Sequence, residues 1–366
     1  MSDPIKPPVR FSPAVEKKTE DETETSQGLN AALHDILETT SQDYGHAVRS
    51  VHAKSHGILE GELTVHDGLP AELAQGAFAT PGTHPAVMRF STNPGDILDD
   101  AISVPRGLAI KLLDVAGERL PGSEGETTQD FVMINGPAFA TPNAKPFLAN
   151  LKLLAKTTDK AEGAKKVLSA VLRGTEAALE AIGLPSPALQ TLGGAPNIHP
   201  LGETYYSATP FRFGDYIAKF SLAPVSPNLT AVTKQKVDTK DRPDALREEI
   251  AAVMTTGDAE WELRVQLCRD LETMPIEKAD AVWDEAASPY VTVATLRVPS
   301  QSSWTWDRAK AIDDGMRFSV WTGLAAHQPL GQINRVRQSA YQMSSDFRAK
   351  FNGCPIHEPK ALASLD

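Results

Sequence analysis

Short stretches in which apolar and polar residues alternate indicate β-strands in two blocks of the chain, residues 57–134 and 203–298. Turn-forming sequences such as Asp67-Gly68-Leu69-Pro70 separate the stretches. Because eight mostly antiparallel strands of this length suit a closed barrel, which leaves no unpaired edge, we predict an eight-stranded antiparallel β-barrel. The predicted strands are Gly57–Val65, Ala86–Phe90, Leu108–Leu113, Phe131–Ile134, Glu203–Ser207, Tyr216–Leu222, Trp261–Leu267 and Tyr290–Val298.

Apolar residues at helical spacing predict helices before, between and after the two strand blocks. One helix begins near Leu29, and a helical insert at about residues 141–185 contains two segments, Lys145–Lys156 and Lys160–Ile182. Two further helices, Asp307–Ile312 and Asn334–Phe351, follow the last strand. The predicted fold class is therefore α+β, a barrel with a helical insert and C-terminal helices.

The first 25 residues are rich in Pro, Glu and Thr and poor in large apolar groups. Such a segment buries too little surface to offset the entropy of ordering, so we predict a mobile N-terminal arm. Residues 26–366 contain no Pro/Gly/Ser-rich linker, which favours a single domain. The arm could embrace a neighbouring subunit, so homo-oligomer formation stays open.

Composition and charge exclude several classes of protein. The 366 residues carry 36 Lys and Arg against 47 Asp and Glu, a net charge of −11, which argues against a nucleic-acid partner. Two cysteines rule out a disulfide framework. Since neither a secretory signal nor a membrane-spanning apolar run is present, we expect a cytoplasmic protein without a membrane partner.

The C-terminal helix carries the first candidate chemistry. Arg337 and Tyr341 are four residues apart and share a helix face, with Arg348 two turns further on. A nearby cation favours the phenolate form of a tyrosine, and a phenolate can ligate haem iron. An Arg–Tyr stack on a solvent-exposed helix face explains the same pair.

Two histidines and an arginine near the predicted barrel strands are further candidates. His52 and His56 are four apart, but no helical pattern covers them, which disfavours a metal pair. A histidine here is either a satisfied core residue or an acid–base group. Arg89 interrupts an apolar alternation, so it either meets a buried anion or reaches water at the barrel end.

These segments occur in the order found in the catalase family, which the chain resembles from about residue 45 to 350. The segments that carry the resemblance are Val51-His52-Ala53-Lys54, Arg89-Phe90-Ser91-Thr92, Pro105-Arg106-Gly107, Glu203-Thr204-Tyr205, and Arg337-x-x-x-Tyr341 with Arg348. The resemblance implies an eight-stranded antiparallel barrel surrounded by helices and holding haem b.

The resemblance also implies roles for individual residues. His52 matches the catalytic histidine beside Val51, Ser91 the hydroxyl that orients its imidazole, and Tyr341 the iron ligand. Arg337 matches the phenolate's partner, and Arg49, Arg89 and Arg348 match the arginines that hold the haem propionates. The implied enzyme is a short catalase-related peroxidase.

One departure from the family pattern bears on the reaction. Catalases position peroxide with an asparagine before the fourth strand, where Thr127 stands here. We therefore expect a haem-dependent hydroperoxidase that cleaves the O–O bond of hydrogen peroxide or organic hydroperoxides heterolytically, with an unidentified electron donor. The alternatives are an isomerase or dehydratase of hydroperoxides, similar to allene oxide synthase, and a non-catalytic haem-binding sensor.

Overall fold

The computed structural model describes residues 5–155 and 195–362 and centres on a closed antiparallel β-barrel. The strands in the described ranges are β1 Ser55–Val65, β2 Gly82–Thr92, β3 Arg106–Leu112, β4 Gln129–Ile134, β5 Tyr205–Tyr206, β6 Phe211–Phe213, β7 Tyr216–Pro224, β8 Ala259–Leu267 and β9 Val291–Val298. The order β5-β4-β3-β2-β1-β9-β8-β7 closes into a ring because β5 pairs with both β4 and β7. The eight-stranded barrel is confirmed, and β6 adds a short hairpin to β7 outside the ring.

Apolar side chains fill the inside of the barrel. They form one continuous cluster that includes Phe90, Phe131, Phe220, Trp261 and Leu263, each at most 3% exposed. Because side chains alternate across each strand, the residues between them point to the outer face. On β2, β3 and β4 this outer face contributes to the cavity described below.

Helices cover part of the barrel surface. Those in the described ranges are α1 Glu22–Tyr44, α2 Ala144–Ala155, α3 Pro227–Thr230, α4 Ala245–Met254, α5 Trp306–Ala309 and α6 Gln332–Asn352. Helices α1, α2 and α6 pack together through a second apolar cluster. The predicted helix Lys160–Ile182 lies outside the described residues. Every described helix is too short or too polar to cross a membrane.

The N-terminal segment lies along the body of the protein. The Val9 amide donates to the Cys268 carbonyl at 2.8 Å, and the Phe11 amide donates to the Asp215 carbonyl at the same distance. Val9, Phe11 and Val15 pack against a small apolar cluster beside β7 and β8. Helix α1 starts at Glu22, several residues before the predicted Leu29, and ends at Tyr44. Gly45 caps it with a left-handed φ of 62°, which suits glycine.

Candidate active site

A cavity of about 390 Å³ lies between the outer face of β2–β4, the loop after α1, the segment 317–322 and helix α6. Seven of the residues singled out from the sequence line it: Arg49, Val51, His52, Arg89, Ser91, Tyr341 and Arg348. They come from three separate parts of the chain, so the fold brings together residues up to about three hundred positions apart. A volume in this range suits a small-molecule or cofactor site.

Small residues on the central strand shape one wall of the cavity. Ser91 of β2 pairs with Gly107 of β3, and two residues further along Arg89 pairs with Ala109. A Cβ atom added to Gly107 would lie 2.4 Å from Cε1 of His52, so only glycine lets the imidazole approach this closely. The Pro105-Arg106-Gly107 turn therefore serves the site through its glycine.

His52 is held in an unusual backbone conformation. Its φ is 56°, a left-handed value that costs a non-glycine residue about 1–3 kcal/mol. The His52 amide donates to the Asn93 carbonyl at 2.8 Å, and the next amide, Ala53, donates to the Pro94 carbonyl at 3.0 Å. Two successive backbone hydrogen bonds thus hold the loop and offset the strain.

The His52 ring is oriented by Ser91. Nδ1 of His52 lies 3.1 Å from the Ser91 hydroxyl, which lies 3.4 Å from the Gly107 carbonyl. Burial, followed by the positive charges of Arg89, Arg337 and Arg49, lowers the pKa of His52 to about 3. The imidazole is therefore neutral at physiological pH and able to accept a proton.

Three arginines converge at one end of the cavity. The side chains of Arg89 and Arg348 are 3% exposed, and that of Arg49 is 13% exposed. Asp313 accepts from Nε of Arg89 at 2.5 Å and lies 3.5 Å from Arg49, while Arg348 donates to the Asp313 backbone carbonyl. Asp314, the next residue, bonds to His46, and its charge also acts on Arg49 and Arg348.

This arginine cluster carries more positive charge than Asp313 balances. Burial and mutual repulsion lower the pKa of Arg49, and burial lowers the pKa of Arg348 to about 10. Nε of Arg348 is buried with no hydrogen-bond partner. Burial alone would raise the pKa of Asp313, but Arg89 and Arg49 hold it below its ordinary value. Asp313 contacts the cluster and Asp314 acts on it from further away, and the buried guanidinium groups still fit an anionic ligand such as a carboxylate.

Tyr341 lies on α6, and the start of this helix is firmly fixed. The buried side chain of Asn334 donates to the carbonyls of Pro210 and Leu330, each at 3.0 Å. Six residues before Tyr341, Arg335 contacts the carboxylates of Glu16, Glu22 and Glu277 at 2.7, 2.7 and 3.0 Å. Helix α6 therefore presents Tyr341 to the cavity from a rigid base.

Arg337 is placed beside this helix face. Its Nη1 donates to Oδ1 of Asn334 at 3.2 Å, and its guanidinium lies 5.6 Å from the centre of the Phe139 ring. Unlike the three clustered arginines, Arg337 does not line the cavity. Its charge reaches the site nonetheless, since it is one of the groups that lower the pKa of His52.

Thr127 is not brought to the cavity. Its side chain is exposed, and its carbonyl accepts from the Val115 amide at 2.8 Å in the turn before β4. The residues of β4 that line the cavity are Val132 and Met133, both apolar. The strand reaches the cavity five residues after Thr127, at Val132, so the part of the wall formed by β4 offers no side-chain hydrogen bond.

A buried ion network supports another wall. Lys111, fully buried, lies 2.6 Å from Asp130 and 2.5 Å from Glu358 of the C-terminal tail. The Lys111 ammonium is 5.6 Å from the ring of Phe318, which lines the cavity. Burial, outweighing the attraction of Lys111, raises the pKa of Asp130 to about 7.

The sequence reasoning missed Asp313 and the role of Gly107. Asp313 lies in a single π-helical turn, Lys310–Asp314, directly after α5, and stands one residue beyond the end of the predicted helix Asp307–Ile312. The one sequence signal for Asp313 was the need for a counter-ion to Arg89. Gly107 was part of a recognised segment, but only the position of His52 reveals why a glycine stands there.

No family model matches the sequence, and no curated protein matches it. Solved structures do match. A fungal catalase gives a TM-score of 0.56 at 15% identity, covering 90% of this chain and 70% of that chain. Catalase A from Saccharomyces cerevisiae gives 0.57 at 15% identity, covering 90% and 73%. A bacterial catalase gives 0.57 at 16% identity, covering 99% and 68%. The chain therefore has the catalase fold.

Proposed function

We propose that this protein is a haem-dependent hydroperoxidase. The observation that carries the proposal is the arginine cluster of Arg49, Arg89 and Arg348 at one end of a cavity that also contains His52 and Tyr341. Haem b carries two propionates, and a carboxylate is the kind of anion that clustered guanidinium groups bind. The catalase fold and the family resemblance of the sequence support the same cofactor.

Each residue has a definite part in holding the cofactor. The three arginines would bind the propionates, and the partnerless Nε of Arg348 offers one of the required donors. Tyr341 would supply its phenolate oxygen to the iron, with Arg337 one helical turn before it. Val51 would pack against the ring, and Gly107 would leave room for His52.

The step that the protein's own side chains would carry out on a peroxide is a proton transfer. A bound haem supplies the redox-active iron at which the O–O bond is cleaved. Neutral His52 accepts the proton from one peroxide oxygen and delivers it to the other, which then leaves as water or an alcohol. Ser91 keeps the imidazole oriented through Nδ1, so the second ring nitrogen, Nε2, carries the proton.

The cavity wall favours organic hydroperoxides over hydrogen peroxide. Val132 and Met133 of β4, together with Ala109 of β3, present apolar groups where a polar side chain would be needed to position hydrogen peroxide. An alkyl group packs against such a wall at a gain of about 25 cal/mol per Å² of apolar surface buried. We infer that peroxidase turnover of organic hydroperoxides dominates over catalase turnover.

Haem reconstitution tests the proposal. We expect the protein to bind one haem with an intense Soret band, and Tyr341→Phe to shift that band or lose the cofactor because the phenolate ligand is gone. Tyr290→Phe, a conservative change on the barrel away from the cavity, is the control and should leave the spectrum unchanged.

The reaction itself is tested on the reconstituted protein with hydrogen peroxide, cumene hydroperoxide and a fatty-acid hydroperoxide. Alcohol formation with donor oxidation supports the peroxidase, oxygen release the catalase, and an allene oxide the isomerase. An unchanged spectrum for Tyr341→Phe, or binding without any turnover, would contradict the proposal.

A further inference from the structure

Trp306, at the start of α5, is the most exposed large apolar side chain of the described residues. It is 79% exposed, which is unusual for an indole in a protein whose other described tryptophans are buried or half-buried. Its ring makes an edge-to-face contact with Trp304, with 4.9 Å between the ring centres. Folding has thus placed one oxidisable ring in solvent and a second directly beneath it.

A continuous set of contacts leads from Trp304 to the cavity. Nε1 of Trp304 donates to the Ser55 hydroxyl at 3.1 Å, and that hydroxyl donates to Oδ2 of Asp313 at 2.8 Å. The other oxygen of Asp313 accepts from Arg89, which lines the cavity. From the solvent-exposed ring to the arginine cluster, every step is a ring contact or a short hydrogen bond.

A positive charge lies on the inner ring of this pair. The guanidinium of Arg247 is 3.7 Å from the centre of the Trp304 ring, within the range of a cation–π interaction. Such a charge opposes the loss of an electron from Trp304 more than from Trp306, which is further out. When one electron is removed from this pair of rings, the resulting radical therefore resides on Trp306.

We propose that Trp306 is the point at which this protein takes electrons from donors too large to enter its cavity. This inference rests on the proposed peroxide-reducing function and locates the donor of that reaction. Trp304 and the hydrogen bonds of Ser55, Asp313 and Arg89 form the inward path. Trp306 loses one electron toward the cavity and regains it from a donor in contact with its ring.

The balance of the reaction is that of a peroxidase. One hydroperoxide takes up two electrons and two protons and becomes an alcohol and water. Two donor molecules each lose one electron, which Trp306 passes on singly. Peroxide is the oxidant and the external donor the reductant, and the tryptophan is unchanged at the end of each cycle.

The test compares two donors with the haem-reconstituted protein and cumene hydroperoxide. Phenol is small enough for the cavity, whereas reduced cytochrome c can reach only the surface, and its basic face is attracted by the net charge of −11. For Trp306→Phe we expect the rate of cytochrome c oxidation to fall by about tenfold or more, a loss of about 1.4 kcal/mol of transition-state stabilisation. Phenol oxidation should remain at the wild-type rate.

Two further variants sharpen the comparison. Tyr44→Phe replaces the other exposed, easily oxidised ring of the described residues, a phenol, with a phenyl ring and should leave both rates unchanged. Trp304→Phe keeps a ring beneath Trp306 but removes the hydrogen bond to Ser55, and should slow cytochrome c oxidation as well. All three changes leave the net charge as it is, so electrostatic attraction of cytochrome c is the same throughout.

A second readout does not depend on turnover. With peroxide and a nitroso spin trap but no donor, mass spectrometry of the wild-type protein should find the adduct on Trp306. An adduct elsewhere, or equal cytochrome c oxidation by wild type and Trp306→Phe, would overturn this inference alone. If the wild type oxidises neither donor, the proposed function fails and this inference fails with it.

Discussion

At the scale of single residues, the site depends on properties that a sequence does not display. His52 combines a left-handed backbone with a buried, neutral imidazole. Its identity in the sequence suggested acid–base work, but the strain arises from the hydrogen bonds of its loop to Asn93 and Pro94. Such strain persists where surrounding structure enforces it, which is common at active sites.

The backbone strain at His52 predicts the same loss of turnover but different stabilities for two substitutions. His52→Ala and His52→Gly both remove the imidazole, so peroxide-dependent turnover should fall by about 10²-fold to 10⁴-fold in each. Glycine adopts a φ of 56° freely, whereas alanine does not, so the glycine variant should be about 1 kcal/mol more stable than the alanine variant. Urea unfolding measures the difference. A more stable alanine variant would show that the backbone strain is absent.

Most of the residues singled out from the sequence line the cavity, whereas Thr127 does not. Arg89 was found because it interrupts an apolar alternation, and Tyr341 because of its spacing from Arg337. Ser91 and the role of His52 came from the family resemblance. Thr127 lies outside the cavity because β4 begins only at Gln129, so that the residues of this strand that line the cavity are Val132 and Met133. Nothing in the sequence around Asp313 distinguishes it from a solvent-exposed carboxylate, and only the fold shows that it contacts Arg89 and Arg49.

At the scale of elements, alternation predicted every strand of the barrel ring. Their ends differ from the predicted ones by up to four residues, because a pairing partner can extend a strand beyond its alternating core, as β1 does for β2 at Gly82–Pro85. Strand β6 has only three residues, too few for a pattern. Helix α4 went unpredicted although Leu246, Ile250 and Met254 have helical spacing.

Arg335 links three elements, and its removal should loosen all of them. Its guanidinium contacts Glu16 of the N-terminal segment, Glu22 of α1 and Glu277 of the loop after β8. Arg335→Met would leave three carboxylates close together with no cation, at a cost of about 3 kcal/mol. Limited proteolysis should then cut within residues 5–21 faster than in the wild type.

The matched control for Arg335→Met is Arg10→Met. Arg10 also joins the N-terminal segment to the body, through Asp215, but both side chains are more than half exposed. Solvent-exposed ion pairs contribute little, so this variant should match the wild type in stability and cleavage rate. Equal cleavage of the Arg335 and Arg10 variants would contradict a structural role for Arg335.

At the scale of the whole molecule, buried histidines make stability depend on pH. Burial lowers the pKa of His52 to about 3 and of His327 to about 4, and it lowers those of His56 and His199 as well. The unfolded chain binds these protons near pH 6.5, so below that pH unfolding takes up protons. The free energy of unfolding should therefore decrease as pH falls from about 6.5, by about 1.4 kcal/mol per pH unit for each histidine.

Protonation of Asp130 increases the free energy of unfolding as pH falls through the same pH range, opposite to the effect of the histidines. Its pKa of about 7 means that the folded protein keeps a proton that the unfolded chain has lost above about pH 4, which offsets about one histidine. Urea titrations at several pH values measure the net slope. His327→Gln should flatten the slope by one proton equivalent, and a slope of the opposite sign would show that the carboxyl groups dominate.

The counter-ion role of Asp313 bears on the order in which the protein is assembled. Because this carboxylate already neutralises part of the arginine cluster, the chain can fold completely before any cofactor arrives. Under the proposed function, loading becomes a late exchange in which the propionates take over guanidinium contacts from Asp313. A cell short of haem would then accumulate a folded, waiting apoprotein that becomes active as soon as supply returns.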